Sequence, residues 1–153
     1  MPHCVIPSPV GKLHIAADEV GLTALTRTDA PLCPPQTPLL QEAARQLEAY
    51  FAGTLTTFDL PLHLEGTPFQ LRCWQVLTGI PYGETISYGE QARRTGNARA
   101  SRAVGGANHR NPVCIIVPCH RVISANGALT GYGGGLDMKR WLLAHEQTVI
   151  HRK

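Results

Sequence analysis

The stretch Pro118-Cys119-His120-Arg121-Val122 sets a nucleophile, a base and a cation side by side, directly after the apolar residues 115–117. A free thiol with a pKa of ~8.5 is mostly protonated near neutral pH, so it attacks carbon only when its proton is drawn away. His120 follows Cys119 and can take that proton directly or through a water, because neighbouring side chains on a strand point to opposite sides. A base also needs a partner that fixes its tautomer. Glu146, at the end of the helical pattern "LDMKRWLLAHE", is the candidate. A Cys-His pair by itself is more often structural than catalytic, so the surrounding elements must decide.

The apolar run before Pro118 reads as a buried strand that delivers the cysteine at its end, with Cys114 as packing on that strand. Upstream, "TPFQ" offers Thr67 as N-cap, Pro68 at the first helical position and Gln70 at the third, which is a capping box. The helix it starts should bury Phe69, Cys73, Val76 and Leu77. A second box is expected at Ser87 and Glu90, opening a short helix that stops near Gly96. The next helical pattern places Ala100, Ala103, Val104 and Ala107 on one face. Two short helices around a glycine turn suit a helix-turn-helix. The outer face of the second carries Ser101, Arg102, Gly105 and Gly106. Paired glycines inside a helix cost ~1 kcal/mol each relative to alanine, which calls for a compensating close approach. That approach is either to another part of the protein or to nucleic acid.

Charge favours nucleic acid. From residue 91 to 136 there is no Asp or Glu, but six arginines: Arg93, Arg94, Arg99, Arg102, Arg110 and Arg121. The eight remaining basic residues face 11 acids, so the rest of the chain carries −3 within a total of +3. A solvated basic face would intersperse carboxylates; a segment without them reads as a patch for a polyanion.

The first part of the chain has a core but no visible chemistry. Residues 12–16 and 22–26 alternate apolar and polar positions around "ADEVG", as a hairpin would. Residues 39–52 repeat apolar side chains at helical spacing (Leu40, Ala43, Ala44, Leu47, Tyr50, Phe51), with Gly53 as C-cap. "TFDLPLHL" resumes a period of two. The expected organisation is α/β: a small N-terminal α/β domain over residues 1–64, and a mostly helical C-terminal domain over 65–153. At 43% hydrophobic and 16% charged residues, the composition suits a soluble globular protein. No membrane span or signal-peptide layout is legible, so a cytoplasmic protein is expected. Five cysteines form an odd set without a C-x-x-C pair, which points to reduced thiols.

The motifs "SRAVGGA", "NPVCIIVPCHRVI" and "LTGYGGGLDMKRWLLAHE" together resemble the O6-alkylguanine-DNA alkyltransferase family, over about residues 67–146. The N-terminal half resembles that family's ribonuclease H-like α/β domain in layout only. The resemblance implies direct repair of O6-alkylguanine in double-stranded DNA, with O4-alkylthymine as a further substrate left open. The alkyl group would move irreversibly to Cys119, once per molecule and without a cofactor, and the protein would act as a monomer. His120 would be the base and Glu146 its partner, while Asn111 braces the turn before the active site. Tyr88 would crowd the flipped nucleotide's phosphate and hydrogen-bond the base. Arg102 would fill the vacated place in the stack. Tyr132, with Gly133 and Gly134, resembles one wall of the pocket, which Val122 would also line. Ser101, Gly105, Gly106, Arg110 and Arg121 complete the expected DNA contacts. Some members bind zinc near the N-terminus; Cys4 has no obvious cysteine partner, so no metal is expected.

Two rivals stay open at this level. A DNA-binding regulator or lesion sensor would use the helix-turn-helix alone, although the sensor relatives replace the acceptor cysteine that this chain keeps. A hydrolase with a Cys-His-Glu relay would need an oxyanion hole and gains nothing from a carboxylate-free arginine segment.

Overall fold

The computed structural model describes residues 2–129, 132 and 135–152. The chain divides into two compact units, residues 1–64 and 65–153.

In the first unit, β1 (His3–Ile6), β2 (Leu13–Ala17) and β3 (Leu22–Arg27) form an antiparallel sheet in sequential order. The β2–β3 hairpin follows the alternation in the sequence: Leu13, Ile15 and Leu25 are fully buried. Its turn is tied by Asp18, whose Oδ1 accepts from the backbone N–H groups of Val20 (2.9 Å) and Gly21 (3.0 Å). Helix α1 (Pro38–Ala52) starts on a Thr37 cap and ends on Gly53 at φ 81°, a conformation glycine adopts without a Cβ penalty. It buries Leu40, Ala43, Leu47 and Tyr50. Ala44 and Phe51, expected on the same stripe, instead line an open groove of about 590 Å³ beside Pro7 and Pro9.

The period-two segment after α1 is not a strand. Only one residue bridge, Leu22 with Leu62, ties it to the sheet. Pro61 has no N–H to give a ladder. Buried Gln46 takes the backbone partners instead: its Nε2 donates to Asp59 O (3.0 Å) and its Oε1 accepts from Asp59 N (2.9 Å).

The second unit opens with α2 (Pro68–Thr78), whose Thr67–Gln70 capping box is formed in both directions. It buries Cys73, Trp74 and Leu77, while Phe69 and Val76 stay partly exposed. Trp74 is the residue that the stripe reading missed, and its indole N–H donates to Ala107 O at 2.8 Å. Helices α3 (Tyr88–Thr95) and α4 (Ser101–His109) form the helix-turn-helix, joined through Gly96 at φ 111°. Ser87 caps α3, but Glu90 does not complete a second box, because its carboxylate pairs with Arg93 and Arg94. On α4 the buried set is Val104, Ala107 and Asn108; Ala103 faces solvent. Asn108 and Gln91 exchange reciprocal amide hydrogen bonds of 2.7 and 2.8 Å in the core, which fixes α4 against α3.

The run before Pro118 is a compact turn, not a strand. Ile115 sits at φ 71°, which is strained for a β-branched residue. Asn111 supplies what a neighbouring strand would have: its Nδ2 donates to Val117 O (2.8 Å) and its Oδ1 accepts from Val113 N (3.0 Å). A 3-10 turn (Cys119–Arg121) follows, and then β5 (Val122–Ile123), which pairs in parallel with β4 (Ile86–Ser87). Helix α5 (Leu136–Ile150) runs one turn beyond the expected end, so Glu146 lies inside it. Among the described residues, no helix is long and apolar enough to cross a membrane.

Candidate active site

Three elements bring the site together: the 3-10 turn with Cys119, His120 and Arg121, the loop of residues 80–83, and the inner face of α5. Cys119 is 7% exposed, and His120 and Glu146 are buried. Glu146 accepts four hydrogen bonds on its two oxygens. They come from His120 Nε2 (2.7 Å), Arg121 Nε (2.9 Å), Arg121 Nη2 (3.0 Å) and the Gly83 backbone N–H (3.0 Å). Burial alone would raise the carboxyl's pKa, but the hydrogen bonds and charges of His120 and Arg121 outweigh it and hold it well below the usual range. Glu146 is therefore an anion.

That anion fixes the histidine. Burial, helped by the charges of Arg121 and Lys139, lowers the His120 pKa against the raising effect of Glu146, which favours the neutral imidazole. With Nε2–H donating to Glu146, the lone pair lies on Nδ1, which hydrogen-bonds no described protein group. A neutral imidazole with an oriented lone pair is a general base. Burial also pushes the Cys119 thiol up, against a hydrogen bond from Asn111 and the charge of Lys139, both of which favour thiolate. Cys114 is held at about 12, first by burial and then by repulsion from Cys119, so it is the inert thiol of the pair.

Arg121 does not belong with the DNA contacts expected of it. Its guanidinium is spent inside the fold, on Glu146 and on Ile80 O (2.8 Å), and the residue is 7% exposed. Val122, expected to line a pocket, exposes no surface and belongs to the core. Tyr132 is buried, and its side chain lowers the Cys114 pKa against the larger effect of burial. Gly133 and Gly134 lie outside the described residues.

On the helix-turn-helix, Arg102, Gly106 and Arg110 are exposed, while Ser101, Gly105 and Tyr88 are partly exposed. A Cβ added at Gly105 would meet only the Tyr88 ring, at 3.9 Å, and one at Gly106 would meet nothing within 4 Å. Packing within this unit therefore does not demand either glycine. Among the described residues, no group of three or more His, Cys, Asp or Glu side chains could hold a metal ion.

Two features were missed in the sequence. The loop that supplies Ile80 O and Gly83 N–H carries the turn signal Pro81-Tyr82-Gly83-Glu84, closed by Glu84 N to Pro81 O at 3.1 Å with Gly83 at φ 80°. Lys139 is fully buried on the same α5 stripe as Met138, Leu142 and Glu146. A lysine spaced with apolar residues at i+3 and a glutamate at i+7 was the available clue.

Comparison with known proteins agrees across both units. Residues 68–148 match the family model for the 6-O-methylguanine DNA methyltransferase DNA-binding domain, and residues 1–64 match that for its ribonuclease-like domain. The methylated-DNA–protein-cysteine methyltransferase of Methanosarcina acetivorans is 51% identical, over 95% of this chain and 98% of the relative. Its counterpart in Mycobacterium leprae is 52% identical, over 98% and 95%. The crystal structure of Mycobacterium tuberculosis O6-methylguanine methyltransferase superposes with a TM-score of 0.88 at 49% identity, covering 96% of this chain and 93% of that one. The same enzyme in complex with DNA gives a TM-score of 0.89 at 50% identity, with the same coverage. With both units matched, and relatives half identical along nearly their whole length, the chain belongs to the 6-O-methylguanine DNA methyltransferase family.

Proposed function

We propose that this protein repairs DNA by moving an alkyl group from O6 of guanine onto its own Cys119. The observation that carries this reading is an acceptor thiol beside an oriented Glu146–His120 pair, in the same unit as an arginine-bearing helix-turn-helix. DNA is the partner, bound through α4. Its glycine face lets a sugar-phosphate backbone come close, and Arg99, Arg102 and Arg110 are exposed around it. A base inside a duplex cannot reach a buried thiol, so the alkylated guanine is rotated out of the stack. Arg102 fills the gap and Tyr88 contacts the extruded nucleotide.

The transfer balances without a cofactor. His120 takes the thiol proton through a water, and the sulfur pair attacks the alkyl carbon. The carbon–O6 bond breaks towards guanine, which Tyr88 assists by donating a proton to the ring. Once the proton on His120 has returned to Tyr88 through solvent, the sum is thiol plus alkylguanine giving thioether plus guanine. A thioether carbon has no easy leaving group, so each monomer acts once.

The test is a mixture of the protein with excess duplex containing O6-methylguanine, followed by repaired DNA and intact protein mass. Product should plateau at the concentration of active protein, with one methyl mass on the Cys119 peptide. Continued turnover, or methyl on another residue, refutes the mechanism.

A further inference from the structure

Three asparagines hold the same local turn, in which the side-chain Oδ1 accepts from the backbone N–H two residues on. Asn97 does so with Arg99, Asn111 with Val113 and Asn126 with Ala128, each at 3.0 Å. They differ in the residue between. Ala98 carries a Cβ, Pro112 has no N–H, and Gly127 has an N–H and no Cβ. The remaining asparagine, Asn108, is buried and paired with Gln91. Asn126 and Gly127 are exposed at the tip of a turn closed by Gly127 N to Ser124 O (2.8 Å) and Ser124 N to Ala128 O (3.1 Å). Gly127 sits at φ 83°, and a Cβ built on it would meet nothing within 4 Å. The turn follows β5, which runs parallel to β4 with Ile123 beside Ser87. It therefore leaves the sheet at the end where α3 and Tyr88 begin. From residue 91 to 136 the sequence has no Asp or Glu.

We propose that Asn126–Gly127 is a site of spontaneous modification, where water converts the side-chain amide to a carboxylate and so weakens the grip on duplex DNA. The Gly127 nitrogen bonds to Cγ of Asn126 and gives its proton to solvent, while the Cγ–Nδ2 bond breaks and ammonia leaves. Water then opens the five-membered imide at either carbonyl, which leaves aspartate or isoaspartate. The sum is amide plus water giving carboxylate plus ammonium. The Ala128 N–H on Oδ1 faces the charge that develops there as the ring closes, as an oxyanion donor does. Glycine offers its nitrogen with no Cβ to block the approach. The bond from Gly127 N to Ser124 O restrains the attacking group, so the reaction proceeds from the opened turn. A surface turn of this kind opens at little cost, and the Asn126–Ala128 bond, being local, survives the opening. Either product puts the first carboxylate into the segment that holds Arg99, Arg102 and Arg110, at the end of the sheet where Tyr88 emerges. There it repels phosphate. That last step rests on the DNA-binding reading; the modification itself does not.

Peptide mapping of the folded protein, during prolonged warm incubation at mildly alkaline pH, tests the modification without DNA. Conversion of amide to acid, with isoaspartate among the products, should accumulate at Asn126 roughly tenfold faster than at Asn97, whose following residue adds a Cβ. Asn111, followed by proline, serves as the blank. No conversion at Asn126, or equal rates at Asn97 and Asn126, overturns the proposal. The consequence is read by duplex binding at low salt. Asn126→Asp and the incubated parent should each bind about threefold more weakly than the fresh parent, and the difference should shrink as added salt screens the charge. Asn126→Gln should keep its affinity through the same incubation. The incubated parent needs no substitution, so a misfolded variant leaves the measurement intact. Undiminished affinity in a parent whose peptide map shows the acid overturns the weakening. If the fresh parent does not bind duplex at all, the DNA-binding reading has failed, and the peptide map alone decides the modification.

Discussion

Glu146→Gln should damage this protein in two separable ways. The carboxamide keeps the shape but offers one acceptor oxygen where two now take four hydrogen bonds, and it turns an N–H donor towards His120 or Arg121. More costly, it leaves the Arg121 guanidinium charged and buried without its anion. Removing one partner of a buried ion pair costs about 3–5 kcal/mol, or roughly two to three and a half powers of ten in the unfolding constant. Both tryptophans, Trp74 and Trp141, lie in the second unit, so indole fluorescence follows that unit alone. With an m-value of about 1–1.5 kcal/mol/M in urea, the midpoint should fall by roughly 2–5 M. The double variant Glu146→Leu/Arg121→Met should recover the part of that loss due to the stranded guanidinium, while the polar groups of His120, Gly83 and Ile80 lose their partners and keep the recovery incomplete. It should still fail to transfer alkyl groups, because His120 no longer has its orienting anion. A loss below ~1 kcal/mol for Glu146→Gln would mean that Arg121 reaches water as a surface pair does, and the ion pair would not be a buried one. The pH dependence follows from the same group. Its folded carboxyl is held below the ordinary 4.5, so the stabilisation is complete above that value and is lost as pH falls below it.

DNA affinity should depend on salt less steeply than six arginines imply. Arg121 is spent on Glu146, and Arg93 and Arg94 share Glu90, which leaves Arg99, Arg102 and Arg110. Three phosphate contacts predict a loss of about 40-fold between 50 and 200 mM salt, against about 2,000-fold for six; a filter-binding series separates them. Arg102→Ala should leave the melting temperature unchanged and slow repair in duplex at least tenfold more than reaction with free O6-methylguanine. Equal losses on both substrates would place Arg102 in the pocket instead of the stack.

Much of the helical part was legible because its signals are local. The Thr67–Gln70 box, the Ser87 cap and the glycines at 53 and 96 mark helix ends within a few residues of the chemistry that sets them. The hydrogen-bonded Glu146–His120 pair next to Cys119 was legible from motif and helix pattern together. The failures are all non-local. Residues 113–117 read as a strand because they are apolar, but their backbone is satisfied by the side chain of Asn111. Residues 57–64 alternate like a strand, but Gln46 takes the backbone groups that a ladder would need. Arg121 looked like a DNA contact because the charge count stopped at residue 136, ten residues short of the carboxylate that neutralises it.

The reciprocal amides of Gln91 and Asn108 also constrain how this sequence can drift. Each side chain satisfies the other where water does not reach, so changing either to an apolar residue strands a donor and an acceptor at a cost of about 1–3 kcal/mol. Changing both to apolar residues of matching volume is close to neutral by the same principle. Lineages can therefore cross between an amide pair and an apolar pair only through a weakened intermediate or a double step. The two positions, 17 residues apart in sequence, should be inherited as a unit. A chimera that joins α3 from one lineage to α4 from another would inherit half of each solution, and the helix-turn-helix would loosen where the two helices meet.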